Sequence, residues 1–208
     1  MKKGMLIVIS GPAGCGKDTV VEGLLNAARR GGECGELFYS VSATTRIPRS
    51  TEENGIHYHF KTREEFERLI EQDEFLEYTD YCGNYYGTLK KTVMSALDKG
   101  QNLILKIEVE GAANIRRIFA DLGALSKFVA IFIMPPSLEE LRRRLINRDS
   151  EDAATIELRV KTAAEEIALA GHYDYRVVND VLETAIDEIA SIIARHNREN
   201  DELKHPLS

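Results

Sequence analysis

The sequence predicts an α/β fold in which helices cover both faces of a parallel sheet. Three apolar runs have the length and character of buried strands, at residues 6–9, 103–109 and 128–133, and a shorter one follows at 175–179. Helical patterns separate these runs, and strands that alternate with helices are typical of a parallel sheet. At 208 residues the chain fits one medium domain with a sizeable core.

The helices are predicted from the spacing of apolar residues. In the first helix, residues 19–29, the side chains of Val20, Val21, Leu24 and Leu25 share one face. Similar patterns occur at residues 90–99, 112–121, 138–145, 156–170 and 184–199. Each helix therefore has an apolar face that it can bury against the sheet.

Two segments interrupt this alternation. Residues 40–88 are rich in Thr, Tyr, Glu and Arg, and they contain alternating pieces such as 57–60. We expect a small inserted sheet there with one helix over residues 63–72. Residues 137–160 carry five arginines around an acidic turn, which predicts a mobile flap that presents positive charge.

Composition limits the classes of function. A formal net charge of −7 argues against general nucleic-acid binding. No segment approaches the roughly 20 apolar residues of a membrane span, and the residues before the first strand do not form a secretory signal. The three cysteines form no cluster of metal-ligand spacing. We therefore expect a cytoplasmic protein that binds neither nucleic acid nor membranes, and the sequence gives no oligomeric state.

A glycine-rich stretch between the first strand and the first helix has the pattern of a phosphate-binding P-loop. Its glycines let backbone N–H groups close around phosphate oxygens, and Lys17 is placed to reach the β- and γ-phosphates of a nucleotide. A glycine-rich turn that only caps the helix is the alternative, but the strand–loop–helix context favours phosphate binding. The predicted donor-nucleotide site consists of Gly11, Pro12, Ala13, Gly14, Cys15, Gly16, Lys17, Asp18 and Thr19.

The inserted segment contains a second candidate site. Arg46 and Arg49 lie three residues apart on either side of a proline, and two guanidinium groups held in this way suit a phosphate monoester. Tyr58 and Tyr86 can complete such a site without adding charge. As alternatives, the arginines are surface partners of Glu52 or Glu53, and the tyrosines are half-buried strand residues.

In these motifs the chain resembles the guanylate kinase family, and the resemblance spans nearly the whole sequence. It rests on Ser-Val-Ser-x-Thr-Thr-Arg-x-Pro-Arg at 40–49, Asn-Gly-x-x-Tyr at 54–58, Phe-Leu-Glu at 75–77 and Gly-Asn-Tyr-Tyr-Gly-Thr at 83–88. The resemblance implies a three-layer P-loop kinase fold that transfers the γ-phosphoryl group of ATP to GMP, and to dGMP. Within one domain of residues 1–208 it implies a core (1–38, 89–136 and 161–199), a GMP-binding α+β subdomain (39–88), a helical lid (137–160) and a tail (200–208).

The resemblance also implies a role for individual residues in GMP binding. By position, the phosphate of GMP is held by Arg46, Arg49, Tyr58 and Tyr86, the base is read by Ser42, Glu77 and Thr88, and Glu108 completes the site. Guanine chemistry agrees with this, because one carboxylate accepts hydrogen bonds from both N1–H and the exocyclic amine. Adenine has no N1 donor and would leave the carboxylate of Glu77 unpaired.

The predicted flap carries arginines for the transfer step. Phosphoryl transfer needs alignment and positive charge on the moving group, and the resemblance assigns this work to Lys17, Arg144, Arg148 and Arg159. A charged, solvated helix face is the alternative for these arginines. The resemblance also places Asn179 near the ATP adenine.

Two positions depart from the family pattern. The residue after the P-loop lysine is usually Ser or Thr, whose hydroxyl helps to hold Mg²⁺, and here it is Asp18. The second core strand usually ends in an acidic-x-acidic pair, and here the first acidic position is Lys106 while the second is Glu108. Three explanations are open: Asp18 ligates Mg²⁺ itself, Asp18 and Lys106 form a salt bridge, or Lys106 contacts a substrate phosphate.

These departures set the alternative functions. The leading interpretation is an active kinase that uses ATP and Mg²⁺ with an atypical coordination of the ion. The alternative is a catalytically weak or inactive guanylate-kinase-like binding module that holds a phosphorylated partner. A kinase for a different nucleoside monophosphate is a third interpretation, which Ser42 and Glu77 disfavour.

Overall fold

The computed structural model describes residues 4–81, 83–147 and 153–202. Across these residues the strands are β1 (Leu6–Ser10), β2 (Leu37–Tyr39), β3 (Ala43–Thr44), β4 (His59–Phe60), β5 (Phe75–Tyr81), β6 (Asn84–Leu89), β7 (Asn102–Lys106), β8 (Phe128–Met134) and β9 (Tyr175–Val178). The α-helices are α1 (Lys17–Arg29), α2 (Arg63–Glu71), α3 (Lys90–Asp98), α4 (Val109–Asp121), α5 (Leu138–Ile146), α6 (Ala153–Ala168) and α7 (Leu182–Glu202). Within these ranges no helix has the length and apolar character that crossing a bilayer requires.

The larger sheet is parallel throughout and has the strand order β2-β7-β1-β8-β9. Strand β1 lies at its centre, with Leu6 paired to Leu103 of β7 on one side and to Phe128 of β8 on the other. This confirms the predicted parallel core. The edge strand β2 was not predicted, because three residues are too few to show a strand pattern.

Side chains that alternate along the central strand enter two separate hydrophobic layers. Ile7 and Ile9 pack with residues of α1 and α7, and Leu6 and Val8 pack with residues of α3 and α4. All four are fully buried. The sheet is therefore covered on both faces, which confirms the predicted three-layer fold.

The predicted extension of the second core strand to Val109 is wrong. Strand β7 ends at Lys106, and the helix α4 begins at Val109. Between them Glu108 has an extended backbone and its carbonyl accepts the first helical hydrogen bond, from the N–H of Ala112 (3.0 Å). The apolar run continues through this turn because Ile107 also packs against the core, so hydrophobicity alone did not mark the end of the strand.

The inserted segment and the flap each have a small core of their own. A four-stranded sheet of order β4-β3-β6-β5 packs against α2, where Phe66 stacks on Phe75 with ring centres 4.3 Å apart. A capping box of Thr62 and Glu65 fixes the start of α2. Helices α5 and α6 share a cluster that includes Leu141 and Val160. The inserted sheet with one helix and the helical flap are therefore present as predicted, while the boundaries assigned to the subdomains stay a prediction.

We expect the core contacts of β8 to dominate the stability of the sheet. Ile131 is fully buried against the layer of α1 and α7, so Ile131→Ala should lower the free energy of unfolding by about 2–5 kcal/mol. Leu158→Ala is the control, because this side chain is 64% exposed and its loss should cost less than about 0.5 kcal/mol. Urea unfolding measures both, and equal effects of the two substitutions would contradict the layer assignment.

Candidate active site

The loop between β1 and α1 needs glycine at its two ends. Gly11 has a φ of +148° and Gly16 a φ of +91°, backbone conformations that side chains disfavour. A Cβ atom would also overlap the carbonyl oxygen of Ile133 at Gly11, and the side-chain nitrogen of Asn179 at Gly16. The loop is therefore packed tightly against the ends of β8 and β9.

Polar contacts hold this loop in place. The Lys17 ammonium donates to the carbonyl oxygens of Gly11 and Pro12, the latter at 3.1 Å. The side-chain amide of Asn179 donates to the carbonyl oxygen of Cys15 (2.8 Å), which ties the end of β9 to the loop. The Cys15 thiol is buried, and burial raises its pKa, so this thiol is a neutral packing group near pH 7.

A depression of about 380 Å³ opens beside the loop. It lies between the start of α1, the lid helix α5 and the connection from β9 to α7, and its lining includes Gly14, Thr19, Arg144, Asn147, Asn179 and Asp180. Arg144 donates to the carbonyl oxygen of Asn179 (3.0 Å) and to Glu140 (2.8 Å). The structure thus brings the predicted donor residues together with one of the three predicted lid arginines.

Of the other two predicted lid arginines, the structure describes only one. Arg148 lies outside the described residues. Arg159 is half-buried on α6, and it does not line the depression beside the P-loop.

A second, smaller cavity of about 20 Å³ lies between the inserted sheet and the end of β7. Its lining includes Ser42, Glu77, Tyr86, Lys106, Glu108 and Gly111. Four of these residues are predicted GMP ligands that lie far apart in the sequence. The fold therefore assembles the predicted acceptor site around one cavity.

Glu77 is the buried charge of this cavity. Its side chain accepts a hydrogen bond from the Thr88 hydroxyl at one oxygen (2.8 Å), while the other oxygen, Oε2, has no hydrogen-bond partner among the described residues. Burial, with a smaller contribution from the charge of Glu110, raises the pKa of Glu77 to about 7, although the Thr88 hydrogen bond opposes the shift. A buried acceptor without a donor is costly, so this oxygen is suited to a ligand that donates hydrogen bonds.

The first turn of α4 closes against this carboxylate. A Cβ atom on Gly111 would lie 2.7 Å from Oε2 of Glu77, so glycine permits the close approach. A helix N-terminus favours negative charge nearby. The first turn of α4 thus limits the space beside the Glu77 carboxylate.

The predicted phosphate ligands form a cluster next to the cavity. The guanidinium carbon of Arg46 lies 5.5 Å from the centre of the Tyr58 ring, and the rings of Tyr58 and Tyr86 are 6.0 Å apart. Arg46 also makes a two-pronged salt bridge to Glu52 (2.8 and 2.9 Å), as the alternative interpretation expected. Through this hydrogen bond the pKa of Glu52 falls to about 2, although burial opposes the shift. The Arg49 side chain is exposed at the edge of the cluster.

The two residues that depart from the family pattern are paired with each other. Lys106, at the end of β7, donates to the carboxylate of Asp18 on the first turn of α1. The Lys106 side chain is 18% exposed and that of Asp18 is 74% exposed. Burial by itself lowers the pKa of Lys106, but Tyr39, Tyr58 and Asp18 outweigh it, so the pKa lies above its usual value. Lys106 is therefore a charged residue that links the P-loop helix to the acceptor cluster.

Sequence reasoning missed one acidic residue of the site. Glu166, on α6, has a pKa raised to about 7 by burial and then by the charge of Glu108, while Lys17 opposes the shift. Two carboxylates thus lie near the P-loop lysine. Nothing in the sequence separated Glu166 from its neighbour Glu165, because no local pattern shows which of two adjacent glutamates on α6 lies near the P-loop.

The fold and the site define a class of protein. A parallel sheet with a P-loop after its central strand, an inserted small sheet and a pair of lid helices is a P-loop kinase fold.

Comparison with known proteins identifies the family. The family model described as guanylate kinase matches residues 3–196. The guanylate kinase of Clostridium perfringens, strain SM101, is 44% identical over 205 residues, which cover 99% of this chain and 89% of that protein.

Two further proteins that are similar to this chain are also guanylate kinases. The guanylate kinase of Halalkalibacterium halodurans is 45% identical over 97% of this chain and 93% of its own length. The crystal structure of guanylate kinase from Anaplasma phagocytophilum superposes with a TM-score of 0.76 at 33% identity, and the match covers 100% of this chain and 98% of that one. The chain belongs to the guanylate kinase family.

The raised pKa of Glu77 predicts how stability depends on pH. Because the folded state holds this proton more tightly than the unfolded state, the contribution of Glu77 is complete below about pH 4.5 and is lost as the pH rises through about 7. Glu77→Gln removes the ionisable group, so the stability of this variant relative to the wild type should grow between pH 4.5 and 8, by at most about 3 kcal/mol.

Urea unfolding at pH 4.5, 6 and 8 tests this expectation. Glu71→Gln is the matched control, since Glu71 is an exposed residue at the end of α2 and its loss should change stability equally at each pH. A difference between Glu77→Gln and the wild type that stays constant with pH would refute the assignment.

Proposed function

We propose that the chain transfers the γ-phosphoryl group of ATP to GMP, with dGMP as a second acceptor, and gives ADP and GDP or dGDP. Membership of the guanylate kinase family over nearly the whole chain supports the activity. The observation that carries the choice of acceptor is the buried carboxylate of Glu77, where one oxygen accepts from Thr88 and the other has no hydrogen-bond partner within the described part of the chain.

The acceptor cavity suits guanine through the donors and acceptors that it holds. In this proposal Glu77 accepts hydrogen bonds from N1–H and the exocyclic amine, and the hydroxyl of Ser42 donates to O6. The Thr88 hydroxyl keeps the carboxylate in place. Adenine offers no N1 donor, so it would leave Glu77 buried and unpaired, which is a large penalty against that base.

The phosphate of GMP is proposed to lie at the cluster of Arg46, Tyr58 and Tyr86. Arg46 presents a planar donor group that its salt bridge to Glu52 orients. The exposed Arg49 adds a second guanidinium from the same loop. The acceptor phosphate is then held between the cavity that binds the base and the P-loop that binds the donor.

ATP is proposed to bind with its phosphates on the loop from Gly11 to Gly16 and with Lys17 on the β- and γ-phosphates. The remaining loop residues and the first turn of α1, Pro12, Ala13, Gly14, Cys15, Asp18 and Thr19, complete this site, with Asn179 fixing the loop. Arg144, Arg148 and Arg159 are proposed to supply positive charge to the moving phosphoryl group from the lid. Closure of the lid would also exclude water and so limit hydrolysis of ATP.

The family uses ATP as its phosphoryl donor and uses Mg²⁺ as its metal ion. The residues near the P-loop of this chain fit such an ion. Burial, and then the charge of Glu108, raise the pKa of Glu166 to about 7, and a nearby cation would favour the ionised form of this carboxylate. The described residues contain no group of three or more acidic, Cys or His side chains that would hold a metal without other ligands. This agrees with Mg²⁺, which takes one or two carboxylates together with substrate phosphates.

We propose that Mg²⁺, which would neutralise charge on the nucleotide phosphates, takes one or two of the carboxylates of Asp18, Glu108 and Glu166, because these three do not form one metal-binding group. Asp18 would have to exchange its salt bridge with Lys106 for this role. Asp18 is 74% exposed, so it can leave the pair readily once a substrate phosphate takes its place at Lys106. No observation on the described residues favours the alternative of an inactive binding module.

A coupled assay of ADP production tests the proposed function. With ATP and Mg²⁺, we expect turnover with GMP and dGMP and little with AMP, CMP or UMP. Glu77→Gln should lower kcat/KM for GMP by about 10²–10⁴, because the amide presents a donor to a base that also donates. Glu71→Gln should behave as the wild type. Absence of GMP-dependent turnover in the wild type would overturn the proposal.

A further inference from the structure

We propose that Lys106 binds the phosphate group of the acceptor nucleotide, an inference that rests on the proposed function. Lys106 lies at the carboxyl end of β7, beside the central strand that leads into the P-loop. It lines the acceptor cavity together with Ser42, Tyr86 and Glu108. Its ligand would be a phosphate monoester.

The position of Lys106 next to Tyr58 supports this role. The Lys106 ammonium lies 6.0 Å from the centre of the Tyr58 ring, and the Arg46 guanidinium lies 5.5 Å from the same centre. The ring of Tyr86 is 6.0 Å from that of Tyr58. Two cations and Tyr86 therefore lie around the Tyr58 ring, and two members of this group, Tyr86 and Lys106, also line the cavity.

The charges at this place are balanced by carboxylates. Arg46 is paired with Glu52 and Lys106 with Asp18. A phosphate monoester carries about two negative charges at neutral pH and has three acceptor oxygens. It can therefore interact with both cations and also accept hydrogen bonds from the tyrosine hydroxyls.

The two members of the second pair differ in how firmly they are held. Lys106 is only 18% exposed and lies beside the Tyr58 ring, whereas Asp18 is 74% exposed. An exposed carboxylate on a partly solvated ion pair is readily exchanged for another anion. Lys106 is thus fixed in the site, and its counter-ion is the group that a substrate phosphate can replace.

Calorimetric titration with GMP and with guanosine separates a phosphate contact from a structural role. Lys106→Met should weaken GMP binding about 10-fold or more, because it removes a charge-assisted hydrogen bond. Guanosine has the same base without the phosphate, so its affinity should change less than about 2-fold, within the small effects of losing a distant charge. The control Lys91→Met removes an exposed lysine on α3 and should leave both affinities unchanged.

A measurement on the wild-type protein covers the case in which Lys106→Met fails to fold. With ¹³C-labelled lysine, the side-chain resonance of Lys106, assigned by its absence from Lys106→Arg, should shift on addition of GMP or inorganic phosphate and not of guanosine. Equal losses for GMP and guanosine in Lys106→Met, unchanged GMP affinity, or no phosphate-dependent shift would each overturn the inference. Turnover of GMP by the wild type is measured separately, so failure of this inference leaves the proposed function standing.

Discussion

The parallel order of the large sheet is the constraint on which the site depends. All five strands end at the same edge, and the P-loop, the inserted sheet, the helix α4, the lid and Asn179 each follow one of these ends. A hydrophobic layer on each face fixes the strands, so segments that are far apart in the sequence meet with little freedom. This agrees with the general rule that ligands of open α/β sheets bind outside the carboxyl ends of the strands.

Three polar arrangements of the site would be complemented by the proposed substrates. One oxygen of Glu77 is buried and has no hydrogen-bond donor among the described residues. Burial and then the charge of Glu108 raise the pKa of Glu166. Lys106 and Asp18 form a salt bridge with each other. The first two arrangements cost stability in the folded chain, and the corresponding parts of the proposed substrates are the guanine donors for Glu77, a metal ion for Glu166 and a phosphate for Lys106. The hydrophobic layers contribute favourable free energy that offsets the cost of such a site.

Much of this could be predicted from the sequence, and what escaped has physical reasons. Strand β1, helix α1 and the glycines of the loop give strong local signals, since spacing and glycine content act over a few residues. The joint position of Ser42, Glu77 and Tyr86 followed only from the resemblance to a family, because no local pattern encodes a meeting of distant segments. Strand β2 was too short to recognise, and Glu166 depends on tertiary proximity. The pairing of Asp18 with Lys106 was one of three open explanations, and only the fold could show that the two residues are in contact.

Replacement of Asp18 and Lys106, singly and together, tests most directly whether these two residues are energetically coupled between the donor and acceptor sites. The measurement is kcat/KM for GMP in the wild type, Asp18→Ser, Lys106→Asp and the double variant. Asp18→Ser leaves a buried ammonium without its carboxylate, and Lys106→Asp places two carboxylates together. The account predicts that the double variant is more active than Lys106→Asp, because it no longer places two carboxylates together. A double variant no more active than Lys106→Asp would contradict it.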